Sequence, residues 1–245
     1  GPNSWPHRKD SICAFIHRVD PDIIDMQEVL HHQLEVLKTG LPEYTVVGVG
    51  REDGKTAGEY APIFFKQAKY TLLDQNTFWL CEKPDSVGMV GWDAALTRIA
   101  TWVKLQDKKT GQILMVVNTH FDHIGTEARR NSALLIIEKI KEIVGTSPAI
   151  LTGDFNVSED WDAYKTITNN EFILKDAHKV AGKRTGVDFT YHNFGKIPAE
   201  KCEKIDFIFV TPQIRVISSY IPFSQLNDTL FLSDHNPEIV ELEIK

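Results

Sequence analysis

Hydrophobic residues recur along this chain at two spacings, one typical of helices and the other of strands. Apolar residues at helical spacing predict helices over 6–19, 30–38 and 126–144, with a shorter helix over about 160–168. Runs of β-branched, aromatic and other apolar residues predict strands over 22–29, 44–49, 61–66, 70–80, 98–106, 113–119, 148–151, 204–211, 214–221 and 238–244. The stretch from the short helix to residue 203 follows neither spacing, so we expect it to be irregular.

The predicted strands outnumber the helices and do not alternate strictly with them. This order predicts an α/β (α+β) fold in which two mixed β-sheets pack face to face and the helices lie outside. The chain contains no internal repeat, low-complexity tract or linker, so we expect a single domain over residues 1–245.

Composition narrows the class of protein only slightly. With 42% hydrophobic and 25% charged residues, the 245-residue chain has the balance of an ordinary soluble domain. No stretch approaches the roughly 18 consecutive apolar residues that a membrane span requires, and any export signal would lie upstream of residue 1. The formal charge of −7 argues against a broad basic surface for long nucleic acid, although a bound divalent metal would reverse the sign locally.

Polar residues able to do chemistry occur at five points, most of them where a predicted strand ends. These points are Gln27-Glu28, Asn118-Thr119-His120, Gly153-Asp154-Phe155-Asn156, Asp206 within Lys204–Val210, and Asp234-His235. Each has a structural alternative when taken alone. Asp and Asn are common in turns, a glutamate often forms a surface salt bridge, and a core histidine can bond to the backbone. His120 and His123 also allow a zinc pair, although no HExxH pattern supports one.

Together the five points supply the groups needed to hydrolyse a phosphate ester. Four carboxylates, Glu28, Asp154, Asp206 and Asp234, accompany the imidazoles of His120 and His235. Carboxylate oxygens select a hard cation, which predicts Mg²⁺ or Mn²⁺ as the cofactor. Such an ion polarises the phosphate while a base aligns the attacking water.

The same motifs, in the same order, resemble the endonuclease/exonuclease/phosphatase superfamily over nearly the whole chain. The resemblance implies a four-layer α/β sandwich and a metal-dependent phosphoesterase. It further implies that Glu28 and Asp234 serve the metal, that Asp154 and Asn156 position the water, and that Asp206 orients His235 for phosphate contact and acid–base chemistry. By the same resemblance His120 stabilises the transition state or protonates the leaving group, and Glu59 is its partner.

The chain departs from the family at its start, where a first strand is expected and Gly1-Pro2-Asn3-Ser4 resembles the loop that follows it. We therefore expect a strand upstream of residue 1.

The substrate is less well indicated by the sequence than the reaction. Asn118, Arg98 and Trp92 are candidate substrate-binding residues, although packing of the aromatic segment 78–102 against a sheet is the favoured alternative. The segments 48–59 and 179–203 are the expected specificity loops. We expect a monomer acting on a phosphorylated small molecule or on DNA or RNA. The rival from another class is an inactive phosphate-binding module with the same fold.

Overall fold

The computed structural model describes residues 1–245 as five α-helices and twelve β-strands, with a short 3₁₀ turn at Ala199–Lys201. The helices are α1 (Trp5–Val19), α2 (His31–Gly40), α3 (Thr126–Val144), α4 (Asp162–Thr168) and α5 (Ala177–Val180). The strands are β1 (Ile23–Asp25), β2 (Tyr44–Val47), β3 (Ile63–Lys66), β4 (Tyr70–Trp79), β5 (Ile99–Asp107), β6 (Ile113–His120), β7 (Ala149–Asp154), β8 (Lys175–Asp176), β9 (Lys183–Gly186), β10 (Asp206–Val210), β11 (Ile214–Ile221) and β12 (Ile239–Ile244).

The strands form one large sheet and two small ones. The central sheet has six strands in the order β4-β5-β6-β7-β10-β8, and its only parallel pair is β6 with β7. The small sheets have the orders β1-β3-β2 and β12-β11-β9. In these small sheets β1 and β12 are edge strands, because β1 pairs only with β3 and β12 only with β11. The expected upstream strand stays a prediction.

Two hydrophobic cores hold the layers together, one on each face of the central sheet. The first joins the central sheet to α3 and α4 through residues such as Ile136, Leu151 and Ile167. The second joins the central sheet to both small sheets, with Val116 facing Ile63 and Val216. A third core packs α1 and α2 on the outside of the β1-β3-β2 sheet. The layers therefore run helices, sheet, sheets, helices, which confirms the predicted α/β sandwich.

Two parts of the prediction needed correction. The predicted strand 22–29 is regular only at Ile23–Asp25, because the chain turns out of the sheet and Glu28 adopts a left-handed backbone with φ of 60°. The predicted irregular stretch before residue 203 contains β8, α5 and β9, which are too short for periodicity to reveal. None of the helices combines the length and hydrophobicity needed to cross a membrane.

The strand register of the central sheet brings reactive side chains next to one another. His120 is level with Asp154 across the parallel β6–β7 pair, and Asp206 is level with Asp154 across β7–β10. The close approach of β6 to β7 requires Gly153, since a Cβ there would lie 2.3 Å from the carbonyl oxygen of Thr119. Three adjacent strands thus place a histidine and two carboxylates at one edge of the sheet.

Candidate active site

A pocket of about 320 Å³ opens at that edge of the central sheet. Eight of the eleven predicted site residues line it: Glu28, Glu59, Arg98, His120, Asp154, Asn156, Asp234 and His235. Leu96, His123, Tyr191 and Ile205 complete the lining. The motifs that are far apart in the sequence therefore meet in one place.

A chain of charged contacts crosses the floor of the pocket. His235 Nδ1 lies 2.7 Å from Asp206 Oδ2, and its Nε2 lies 3.9 Å from Asp154 Oδ2. Burial opposes the charged form of His235, but Asp206, Asp154 and Asp234 outweigh it and raise the pKa of His235 to about 10. Burial and the neighbouring Asp206 raise the pKa of Asp154 to about 8. His235 is therefore the cationic group of this floor and Asp154 the basic carboxylate.

His120 and Asn156 form the wall beside Asp154. Asn156 has φ of 50°, an angle that asparagine tolerates, and its backbone N–H donates to Asp154 Oδ1 over 2.9 Å. Its Nδ2 donates to Phe121 O and lies 3.1 Å from His120 Nε2. Burial, followed by Arg98 and Arg51, holds the pKa of His120 well below its usual range. A neutral His120 accepts from Asn156 at Nε2 and keeps its proton at Nδ1.

Acidic groups converge at the mouth of the pocket. Ligand atoms of Glu28, Glu59 and His120 all lie within 4.8 Å of one another. Partial desolvation, Glu59 and Asp234 raise the pKa of Glu28, and no hydrogen bond offsets this. Arg51 forms an ion pair with Glu59, which holds that carboxylate in place. Converging carboxylates fit a divalent cation, so Glu28 and Glu59, with Asp234 in the same pocket lining, suit such an ion.

Arg98 is fixed at the side of the pocket by Asp122. The Asp122 carboxylate accepts the backbone N–H groups of Leu96, Ile124 and Gly125 and lies 3.5 Å from Arg98 Nε. Burial opposes its ionised form, but these N–H donors outweigh burial and hold the pKa of Asp122 below its usual range. Arg98 Nη2 donates to His123 Nδ1 over 3.1 Å. Arg98 is thus a buried cation held next to His120.

Three predicted residues lie outside the pocket lining. Asp206 Oδ2 contacts Nδ1 of His235, which does line the pocket. Asn118 is fully buried, and its Nδ2 donates to the carbonyl oxygens of Met26 and Pro62, so it ties β6 to the segment that carries Glu28. Trp92 precedes Asp93, whose carboxylate caps the first turn of α3. Neither Asn118 nor Trp92 lines the pocket, and their predicted contact with a substrate stays a prediction.

Sequence reasoning did not single out two residues of this region, Tyr191 and Arg51. Arg51 lies in the segment from 48 to 59 and Tyr191 in the stretch from 179 to 203, which the sequence predicts to be specificity loops without indicating a particular residue. The acidic, glycine-containing character of the first segment gives no sign that Arg51 turns back to pair with Glu59. Tyr191 follows Thr190, whose hydroxyl accepts the N–H of Asp206 over 3.1 Å. That contact joins the irregular segment to the site.

Comparison with known proteins agrees with this geometry. The profile of the Endonuclease/Exonuclease/phosphatase family matches residues 1–235. An endonuclease/exonuclease/phosphatase from Bacteroides vulgatus is 62% identical, with a TM-score of 0.97 over 100% of this chain and 93% of that one. A mannosyl-6-phosphatase from Bacteroides thetaiotaomicron is 36% identical, with a TM-score of 0.92 over 98% of this chain and 92% of that one. Nocturnin of Drosophila melanogaster is 22% identical over 90% of this chain, which spans only 38% of nocturnin.

The chain therefore belongs to the Endonuclease/Exonuclease/phosphatase family. It is a hydrolase of phosphate esters, in a family whose enzymes use divalent metals. Both the predicted family and the predicted reaction class are confirmed.

Proposed function

We propose that this protein is a Mg²⁺- or Mn²⁺-dependent phosphatase that hydrolyses the phosphomonoester of a hexose phosphate. The observation that carries the proposal is the size and lining of the pocket, which at about 320 Å³ suits one small phosphorylated molecule. The 36% identity with a mannosyl-6-phosphatase over 98% of this chain supports the same substrate class. The net charge of −7 disfavours a long polyanion as substrate.

The acids at the mouth of the pocket would hold the metal. Glu28 is the principal ligand, Asp234 contributes to the site, and Glu59, restrained by Arg51, lies beside Glu28. When bound, the cation polarises the phosphoryl group and offsets the charge that develops on it.

The remaining groups act on water and on the leaving oxygen. Asp154 accepts a proton from the attacking water, and Asn156 keeps that carboxylate oriented through its backbone N–H. The new bond joins the water oxygen to phosphorus, and the bond from phosphorus to the sugar oxygen breaks. The departing sugar oxygen takes up a proton from His235, which Asp206 holds in its charged form, whereas His120 is neutral and has no acidic proton to give. Arg98 balances the charge of the phosphoryl group from the side of the pocket.

A substrate panel tests the proposal. The purified protein is incubated with Mg²⁺ and either hexose 6-phosphates, nucleoside monophosphates, RNA or single-stranded DNA, and phosphate or nucleotide release is measured. We expect kcat/KM to be highest for a hexose phosphate, with Asp154→Ala as the inactive control. Preferential cleavage of RNA or DNA would replace the proposal with a nuclease. Phosphate binding without any turnover would indicate the inactive module.

A further inference from the structure

Main-chain contacts hold Tyr191 at the edge of the pocket. Its backbone forms antiparallel bridges with Glu203 on one side and His235 on the other, and its N–H donates to Glu203 O over 2.9 Å. The next N–H, from His192, donates to the carbonyl oxygen of Asp234 over 3.0 Å. The position of the Tyr191 side chain is therefore coupled directly to the two residues Asp234 and His235.

The Tyr191 ring packs on the imidazole of His235. Their ring centroids lie 4.9 Å apart and the planes are inclined by 49°. The side chain is partly exposed and lines the pocket, while its hydroxyl forms no hydrogen bond within the protein. Packing on His235 accounts for the position of the ring, but the hydroxyl has no hydrogen-bond partner.

Tyr191 shares the lining of the pocket with Asp234, Asp154 and Glu28. A tyrosine phenol keeps its proton near neutral pH. A neutral O–H group among these three residues is a hydrogen-bond donor in the region where the phosphoryl group is processed. A phosphate oxygen is the strong acceptor that such a site receives during the reaction.

We propose that the Tyr191 hydroxyl donates a hydrogen bond to a phosphoryl oxygen of the bound ester and of the phosphate product. This role rests on the proposed function only in placing a phosphate group in the pocket, and it does not depend on which alcohol is esterified. Tyr191 would then be a substrate-binding residue, with its ring on His235 fixing the direction of the O–H group.

Binding of inorganic phosphate to the Mg²⁺-loaded protein tests the proposal without requiring turnover. Tyr191→Phe removes the hydroxyl and retains the ring that packs on His235. Tyr220→Phe is the matched control, since Tyr220 is exposed on β11 and does not line the pocket. Because hydrogen bonds to charged acceptors are the stronger kind, we expect calorimetry to show a Kd for phosphate about tenfold higher in Tyr191→Phe and unchanged in Tyr220→Phe.

An unchanged phosphate Kd in Tyr191→Phe would overturn the proposal. If the KM for hexose phosphates is also unchanged, the ring matters only as packing, and if that KM is raised, the hydroxyl contacts the sugar. If hexose phosphates are not hydrolysed at all, the proposed function fails, yet the phosphate Kd still decides the role of Tyr191.

Discussion

The contact between Asp206 and His235 gives a quantitative prediction for catalysis. Asp206→Asn keeps the size of the side chain but removes the negative charge that His235 Nδ1 meets at 2.7 Å. The pair is only partly screened, with side-chain exposures of 24% for His235 and 19% for Asp206. Hydrogen bonds to charged groups contribute about 1.5–3 kcal/mol. If that stabilisation is lost in the transition state, kcat falls by about 10- to 150-fold.

Two measurements check this prediction. The first is kcat for p-nitrophenyl phosphate with Mg²⁺ at pH 7, compared among wild type, Asp206→Asn and the exposed control Asp228→Asn. The second is the NMR titration of His235 in the metal-free protein. We expect the pKa of His235 to fall from about 10 toward its ordinary value of 6.5, because Asp206 is the largest influence that raises it.

The same substitution has a signature in stability. Since the pKa of His235 is raised on folding, its contribution to stability is fully present below about pH 6.5 and is lost as the pH rises toward 10. In Asp206→Asn most of this pH-dependent loss should disappear. A kcat within threefold of wild type, together with an unchanged His235 pKa, would refute the reasoning.

Two further predictions concern stability away from the pocket. Asp25 is half-buried, but its Oδ1 atom is buried without a hydrogen-bond partner. Burial raises the pKa of Asp25 to about 7, so the wild type loses stability as the pH rises from about 4 to 7. Urea denaturation should therefore show Asp25→Asn more stable by up to about 4 kcal/mol at pH 8 and by little at pH 4.5, whereas a gain independent of pH would contradict this. Ile136→Ala should lower the free energy of unfolding by about 2–5 kcal/mol, because Ile136 on α3 is fully buried in the core. Leu134 is half exposed on the same helix, so Leu134→Ala should lower it by less than about 1 kcal/mol. Equal losses in the two helix variants would argue against the assigned core.

The long elements of the fold were predictable because their hydrophobic periods are regular. The face of α3 that carries Ile136 and Ile140 packs on the central sheet, and β6 is almost continuously buried. Short elements were not predictable, since β8 and β9 have two and four residues and their pairing depends on strands elsewhere in the chain. The end of β1 was also not predictable, because Glu28 follows an apolar run and its residue type does not indicate a left-handed backbone with φ of 60°.

The site was predictable where a reactive residue interrupts an apolar strand. His120, Asp154 and Asp206 belong to strands that are level with one another, so their sequence motifs translate directly into proximity. Asn118 shows the limit of that reasoning. It precedes His120 by two residues, yet its amide is used within the core. No sequence pattern indicated Tyr191, because isolated bridges with Glu203 and His235 place it in the pocket and it belongs to no regular strand.

The most direct test of the assigned centre is the Mg²⁺ dependence of phosphate release from a hexose phosphate by wild type and by Glu28→Gln. We expect wild-type turnover to stop when the metal is chelated and to return with added Mg²⁺. We expect Glu28→Gln to need far more Mg²⁺ and to lose at least about 100-fold in kcat/KM, since the substitution replaces the proposed principal ligand by a neutral amide. Glu28→Gln with wild-type turnover and wild-type Mg²⁺ dependence would show that the metal and the chemistry lie elsewhere.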